Sequence, residues 1–119
     1  MHFVKEAKGD ILIIRMSQEK ITSQEAPDVK TALLGVVSEP SEVIIINLKN
    51  VNRMDSTGLG AFLFTIRQAQ NQDKDVSFCE ANDKIKFMIK IAHLEDIMEV
   101  YDTEEQAIAD WEEELKNGN

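Results

Sequence analysis

Apolar positions fall into two alternating rhythms along this chain. Phe3 to Glu6 and Ile11 to Met16 are short runs of the strand type, and Gly9-Asp10 between them reads as a tight turn, so the two predict an N-terminal hairpin. Val29, Ala32, Leu33, Val36 and Val37 then follow the i, i+3, i+4, i+7, i+8 spacing of one buried helical face. Two signals compete for the start of that helix. Thr22 with Glu25 has the spacing of a capping box, while Pro27 favours the first helical position; Ser38-Glu39-Pro40 ends it.

Val43-Ile44-Ile45-Ile46-Asn47-Leu48 is the most apolar run and shows no alternation. It predicts a central strand covered on both faces, which implies a parallel or mixed sheet. A loop over 49–55 leads to a second amphipathic helix, with Leu59, Phe62, Leu63 and Ile66 inward and its end near Asn71. Val76 to Glu80 reads as a strand. Asp83 is placed to cap a third helix reaching about Ile91, with Ile85, Met88, Ile89 and Ala92 inward. Met98 to Tyr101 reads as a last short strand. The T-x-x-Q box of Thr103 and Gln106 opens a fourth helix that buries Ala107, Ile108, Trp111 and Leu115. A hairpin followed by alternating helices and strands predicts an α/β fold: a small mixed β-sheet with crossover helices.

The 119 residues contain no repeat and no Pro/Gly/Ser-rich linker, so residues 1–119 are expected to form one domain. Thirteen basic and 22 acidic side chains give a net charge of -9. That balance argues against binding nucleic acid or anionic lipid, and it suits a basic protein partner. Cys79 is the sole cysteine, which leaves no intrachain disulfide and no cysteine-based metal cluster; its strand-like surroundings predict a small buried apolar side chain. The N-terminus lacks an apolar signal core, and no apolar run approaches the roughly 20 residues that span a bilayer, so a cytoplasmic protein with no membrane segment is expected.

Candidate chemistry concentrates in Met54-Asp55-Ser56-Thr57-Gly58-Leu59-Gly60, at the entry to the second helix. Asp55 or Ser56 suits the N-cap. A cap needs no glycine, however, and each glycine within a helix costs up to ~1 kcal/mol relative to alanine. Gly58 and Gly60 therefore mark a close approach, either of another part of the chain or of a partner. The helix start carries free N–H donors and partial positive charge, while Asp55 supplies a negative charge. A phosphate on Ser56 would add about -1.5 to -2 charges, enough to repel a docked partner without unfolding the helix. A serine nucleophile would need a base held in reach; the candidate histidines are His2 and His93, the motif is not the G-x-S-x-G elbow, and no phosphate-binding loop is present.

The Met54–Gly60 motif, directly after a strand ending in Asn47-Leu48, resembles the signature of the STAS domain family, and more narrowly of bacterial anti-sigma factor antagonists. The tail from His93 to Ala107 is similar to that family's closing strand and helix. The resemblance implies a STAS-like fold and a non-enzymatic partner switch. Ser56 would be phosphorylated by an anti-sigma factor that is also a serine kinase, and a serine phosphatase would reset it. The unphosphorylated form binds the kinase and releases a sigma factor. ATP and metal would belong to the kinase and phosphatase, leaving this chain with no cofactor. The docking surface implied is Met54, Asp55, Ser56, Thr57, Gly58, Leu59 and Gly60, joined by Thr22. The family usually has G-E-[ILV]-D in the loop before the first helix. This chain reads Glu19-Lys20-Ile21-Thr22, so Thr22 takes the aspartate's place. The alternative within the family is an unphosphorylated subunit docking on the ATPase of a membrane transporter.

Overall fold

A computed structural model describes residues 2–118. Strands β1 (Phe3–Lys8) and β2 (Ile11–Met16) form the expected hairpin, paired antiparallel from Phe3 with Met16 to Lys8 with Ile11. Its turn places Gly9 at φ 58°, the left-handed region where glycine escapes the Cβ clash. Strands β4 (Val43–Asn47), β6 (Asp75–Cys79) and β7 (Val100–Tyr101) add in parallel, giving the order β1-β2-β4-β6-β7. Strand β4 is buried along its whole length, as its unbroken apolar run requires. Strand β1 is mostly exposed and carries Lys5, Glu6 and Lys8, a polar edge that discourages pairing with other chains.

Helices α1 (Ala26–Val37), α2 (Ser56–Gln70) and α3 (Asp83–Ile91) cover one face of this sheet. Helix α4 (Glu104–Asn117) covers the other. The period-2 pleat divides the strand side chains between two cores. Leu12, Ile14, Ile44, Ile46 and Phe78 face the three helices, and Phe62 of α2 meets Phe78 edge-on at 5.5 Å. Ile11, Ile13, Val43, Ile45 and Cys79 face Ala107, Ile108, Trp111 and Leu115 of α4. Cys79 is fully buried, and burial pushes its thiol up to about 12. Trp111 Nε1 donates to the buried Ser77 Oγ at 2.9 Å, and the Arg15 guanidinium grips Glu104 with two bonds of 3.0 and 2.8 Å.

Three details depart from the sequence expectation. The 49–55 stretch contains strand β5 (Arg53–Met54), which pairs in parallel with β3 (Lys20–Ile21) in a separate two-stranded sheet. Asn82, not Asp83, caps α3, its side chain accepting from Ile85 N–H at 2.9 Å. Ala92 is exposed rather than inward, because α3 stops at Ile91 and the chain reverses through His93 at φ 58°. At α1 the proline signal sets the start: the helix begins at Ala26 with Pro27 in its first turn, while Thr22 and Glu25 form the turn leading in and supply no side-chain cap.

Candidate functional site

The paired strands β3 and β5 form the platform of the site. Glu19 C=O accepts from Asn52 N–H at 2.7 Å and from Arg53 N–H at 3.1 Å, fixing the approach to Asp55. Asp55 then adopts an extended conformation (φ -107°, ψ -175°) and caps α2. Its Oδ1 accepts from Gly58 N–H at 2.9 Å, and its Oδ2 accepts from Ser23 N–H at 3.1 Å. The Gly58 N–H, aided by those of Ser23 and Thr57, holds the Asp55 carboxyl below the usual carboxylate range. One carboxylate thus starts α2 and ties that start to the segment before α1.

Ser56 and Thr57 are the first two residues of α2, and both are exposed. Neither hydroxyl has a hydrogen-bond partner among the described residues. Asp55 is the cap, which leaves Ser56 Oγ uncommitted.

The two glycines serve different ends. A Cβ on Gly58 would lie 2.0 Å from the Ile21 carbonyl oxygen and 2.9 Å from Met54 Cγ, so only glycine lets α2 lie against β3. A Cβ on Gly60 would meet nothing within 4 Å, and Gly60 is exposed. No internal contact accounts for it. Met54, Gly58 and Leu59 are buried and shape the turn from beneath. Ser56, Thr57 and Gly60 form its outer surface, with Asp55 at its edge.

Thr22 lies beside this surface. Its hydroxyl and its N–H both donate to Glu25 Oε1, at 2.7 and 2.9 Å. That pair of bonds, hydroxyl first, holds the Glu25 carboxyl below its ordinary range. The structure therefore places a fixed carboxylate next to the position where the family pattern has aspartate, supplied by Glu25 instead. The sequence reading missed this role, although the T-x-x-E spacing was the signal for it. Glu25 also lines a shallow depression of about 670 Å³ with Gln18, Glu19, Lys20, Asn52, Arg53 and Lys84. Asn82 caps α3 with its oxygen, and its amide nitrogen donates to the Asn52 carbonyl at 3.0 Å. His93, exposed after α3, enters none of these bonds. No helix among the described residues is long and apolar enough to cross a membrane.

The STAS domain family model matches residues 2–107. An anti-sigma-B factor antagonist of Staphylococcus aureus is 34% identical over 74 residues, which cover 62% of this chain and 68% of that protein. Among solved structures, an anti-sigma factor antagonist from Mycobacterium paratuberculosis superposes with a TM-score of 0.80 at 19% identity, covering 90% of each chain. The Bacillus cell fate determinant SpoIIAA in its phosphorylated form gives 0.68 at 19% identity, covering 90% of this chain and 96% of that one. A sulfate transporter family protein from Wolinella succinogenes gives 0.80 at 16% identity, covering 95% and 93%. At these identities the structures speak to the fold.

Proposed function

The chain belongs to the STAS domain family, and from that membership we propose that it is an anti-sigma factor antagonist of the cytoplasm, switched by phosphorylation of Ser56. The unphosphorylated form docks on an anti-sigma factor that is also a serine kinase and so releases a sigma factor. The phosphorylated form lets go until a serine phosphatase restores it. Curated relatives bearing the name anti-sigma-B factor antagonist support the role. A structural neighbour solved in a phosphorylated form supports the modification.

The observation that carries the reading is the free, exposed hydroxyl of Ser56, directly after a cap that is already an ionised carboxylate. A phosphate there stays near the N–H groups of the first turn, so the helix tolerates it. A partner seated on the turn does not. Like charges brought together across an interface cost several kcal/mol, and about 3 kcal/mol is already a hundredfold in affinity.

The test has two parts. Mass spectrometry of the tryptic peptide 54–67, taken from the protein's own cells, is expected to find phosphate on Ser56 in part of the population. Binding to the kinase is then expected to be lost in Ser56→Asp and constitutive in Ser56→Ala. A folded Ser56→Asp that binds like wild type would sink the charge switch. A peptide that stays bare through growth and stress, in a protein that co-purifies with a membrane ATPase, would replace this reading with a fixed docking subunit.

A further inference from the structure

The chain is acidic overall, yet α3 carries Lys84, Lys86 and Lys90 against Asp83 alone. The same helix exposes Phe87 at 61% and Ile91 at 59%, the two most exposed large apolar side chains among the described residues. Ile85 and Ile89 hold the buried face. Phe87 and Ile91, four residues apart, stand on the outward side where a surface helix is normally polar. Single exposed apolar residues are ordinary, but this pair has company. Lys86 is engaged by Asp83 and Asp102, at 3.9 and 3.6 Å. Lys84 and Lys90 pair with no carboxylate among the described residues. They flank the apolar pair as uncommitted cations.

The face is also continuous with the site. Lys84 lines the depression that Glu25 and Arg53 share. From there Lys84, Phe87 and Ile91 run along α3 at i, i+3, i+7, a row about 10 Å long. Resting on the reading above, we propose that this row is the second half of the docking surface. It receives, from the same partner that reads the Ser56 turn, an apolar patch rimmed by Asp and Glu side chains. The turn reports the phosphorylation state, while α3 supplies apolar contact and charge complementarity that persist in either state. A bilayer is a poor fit, because a net charge of -9 is repelled by anionic lipid and two apolar side chains insert little area. A second copy is a poor fit as well. Its acidic helix α4 offers charge at Glu112, Glu113 and Glu114, but Trp111 and Leu115 are turned into its own sheet.

Site-specific photocrosslinking in the cells of origin tests this, with benzoylphenylalanine at Phe87 and, separately, at the exposed Gln24 beside the Ser56 turn. Both positions are expected to capture one protein, and the peptide captured at 87 to combine apolar residues with Asp or Glu. With that protein purified, Phe87→Ser/Ile91→Ser is expected to weaken binding at least tenfold with an unchanged melting curve. Lys84→Glu/Lys90→Glu is expected to weaken it most at low salt. Capture at 87 of a second copy, a lipid, a different protein or nothing overturns the proposal; if Gln24 still captures a serine kinase, the function proposed above survives it. Capture of one membrane ATPase at both positions keeps the surface and removes that function.

Discussion

Gly58 and Gly60 sit two residues apart on one helix, yet the same substitution is expected to act on them with opposite sign. Gly60→Ala adds a methyl group to open space, so it gains helix propensity of about 0.8–1 kcal/mol with no clash to offset it. Gly58→Ala gains the same propensity but drives a Cβ to 2.0 Å from the Ile21 carbonyl oxygen, a rigid backbone atom. Overpacking costs typically about 1–3 kcal/mol; a 2.0 Å contact with a backbone oxygen forces the backbone to move and puts the cost at the top of that range, so the net effect is a loss of about 2 kcal/mol. With a urea slope near ~1.5 kcal/mol/M for a domain of this size, the midpoint rises by about 0.6 M for Gly60→Ala and falls by over ~1 M for Gly58→Ala. Far-UV circular dichroism follows the whole backbone and Trp111 fluorescence follows the α4 side of the sheet, and coincident transitions would justify the two-state treatment. If a partner's close approach is the reason for Gly60, the stabilised variant also binds the proposed partner more weakly, a trade of function against stability. Equal shifts for both variants, or a destabilised Gly60→Ala, would refute the division of labour between the glycines.

Three further outcomes follow from the geometry. Asp55 has its folded pKa depressed below its ordinary value of 3.8, so its contribution is present above the unfolded value and lost as pH falls through the folded one. Asp55→Asn should therefore melt lower than wild type at pH 7, and the two melting curves should converge as the solution is acidified below about pH 4. A double-mutant cycle with Arg15→Leu and Glu104→Gln should give a coupling of about 1 kcal/mol, discounted from the larger value of a buried charged pair because Arg15 is partly exposed. Its loss should be visible in Trp111 fluorescence, since Glu104 begins the helix that carries Trp111. Cys79 should resist a thiol reagent at pH 8 in the folded protein and react only on unfolding, because it is buried and its thiol is pushed up to about 12; rapid labelling would show that α4 lifts from the sheet.

Much of this was legible in the chain, for reasons that differ from one element to the next. The helices announce themselves because their packing is one-sided: Val29, Leu33, Val36 and Val37 recur at the helical period and all four are buried. Strand β4 announces itself because both its faces are covered. The β3–β5 pairing left no trace, since two residues on each side carry no period and their bond spans more than 30 residues of chain. Asn82 and Asp83 were equivalent as caps on composition. Asn82 prevails because its amide has a second use, donating to the Asn52 carbonyl, which an aspartate could not do. Arg15 and Glu104 lie 89 residues apart, and nothing local marks them as partners. At the candidate site, the motif marked the turn but not its inner and outer sides. Burial alone separates Met54, Gly58 and Leu59 from Ser56, Thr57 and Gly60.

That separation explains how such a turn could answer to a single charge without disturbing the fold. Everything that holds the turn lies behind it: Asp55 bonded to Gly58 and Ser23, Gly58 pressed against Ile21, Met54 in the core, and Asn82 tying α3 to the loop before β5. None of these contacts uses the Ser56 hydroxyl. Modifying it removes no native interaction, and the first turn of α2 is a place where a helix accepts an anion. Under the proposed switch, the whole free-energy change of the modification would be available to the interface, where a partner would meet the added charge directly. A switch that worked by unfolding would instead have to overcome the stability of the domain, about 5–15 kcal/mol for chains of this kind, which is more than one surface phosphate supplies. The anchored turn therefore favours repulsion at the proposed docking surface as the working principle, and it does so through the same contacts that leave room only for glycine at position 58, and not at position 60.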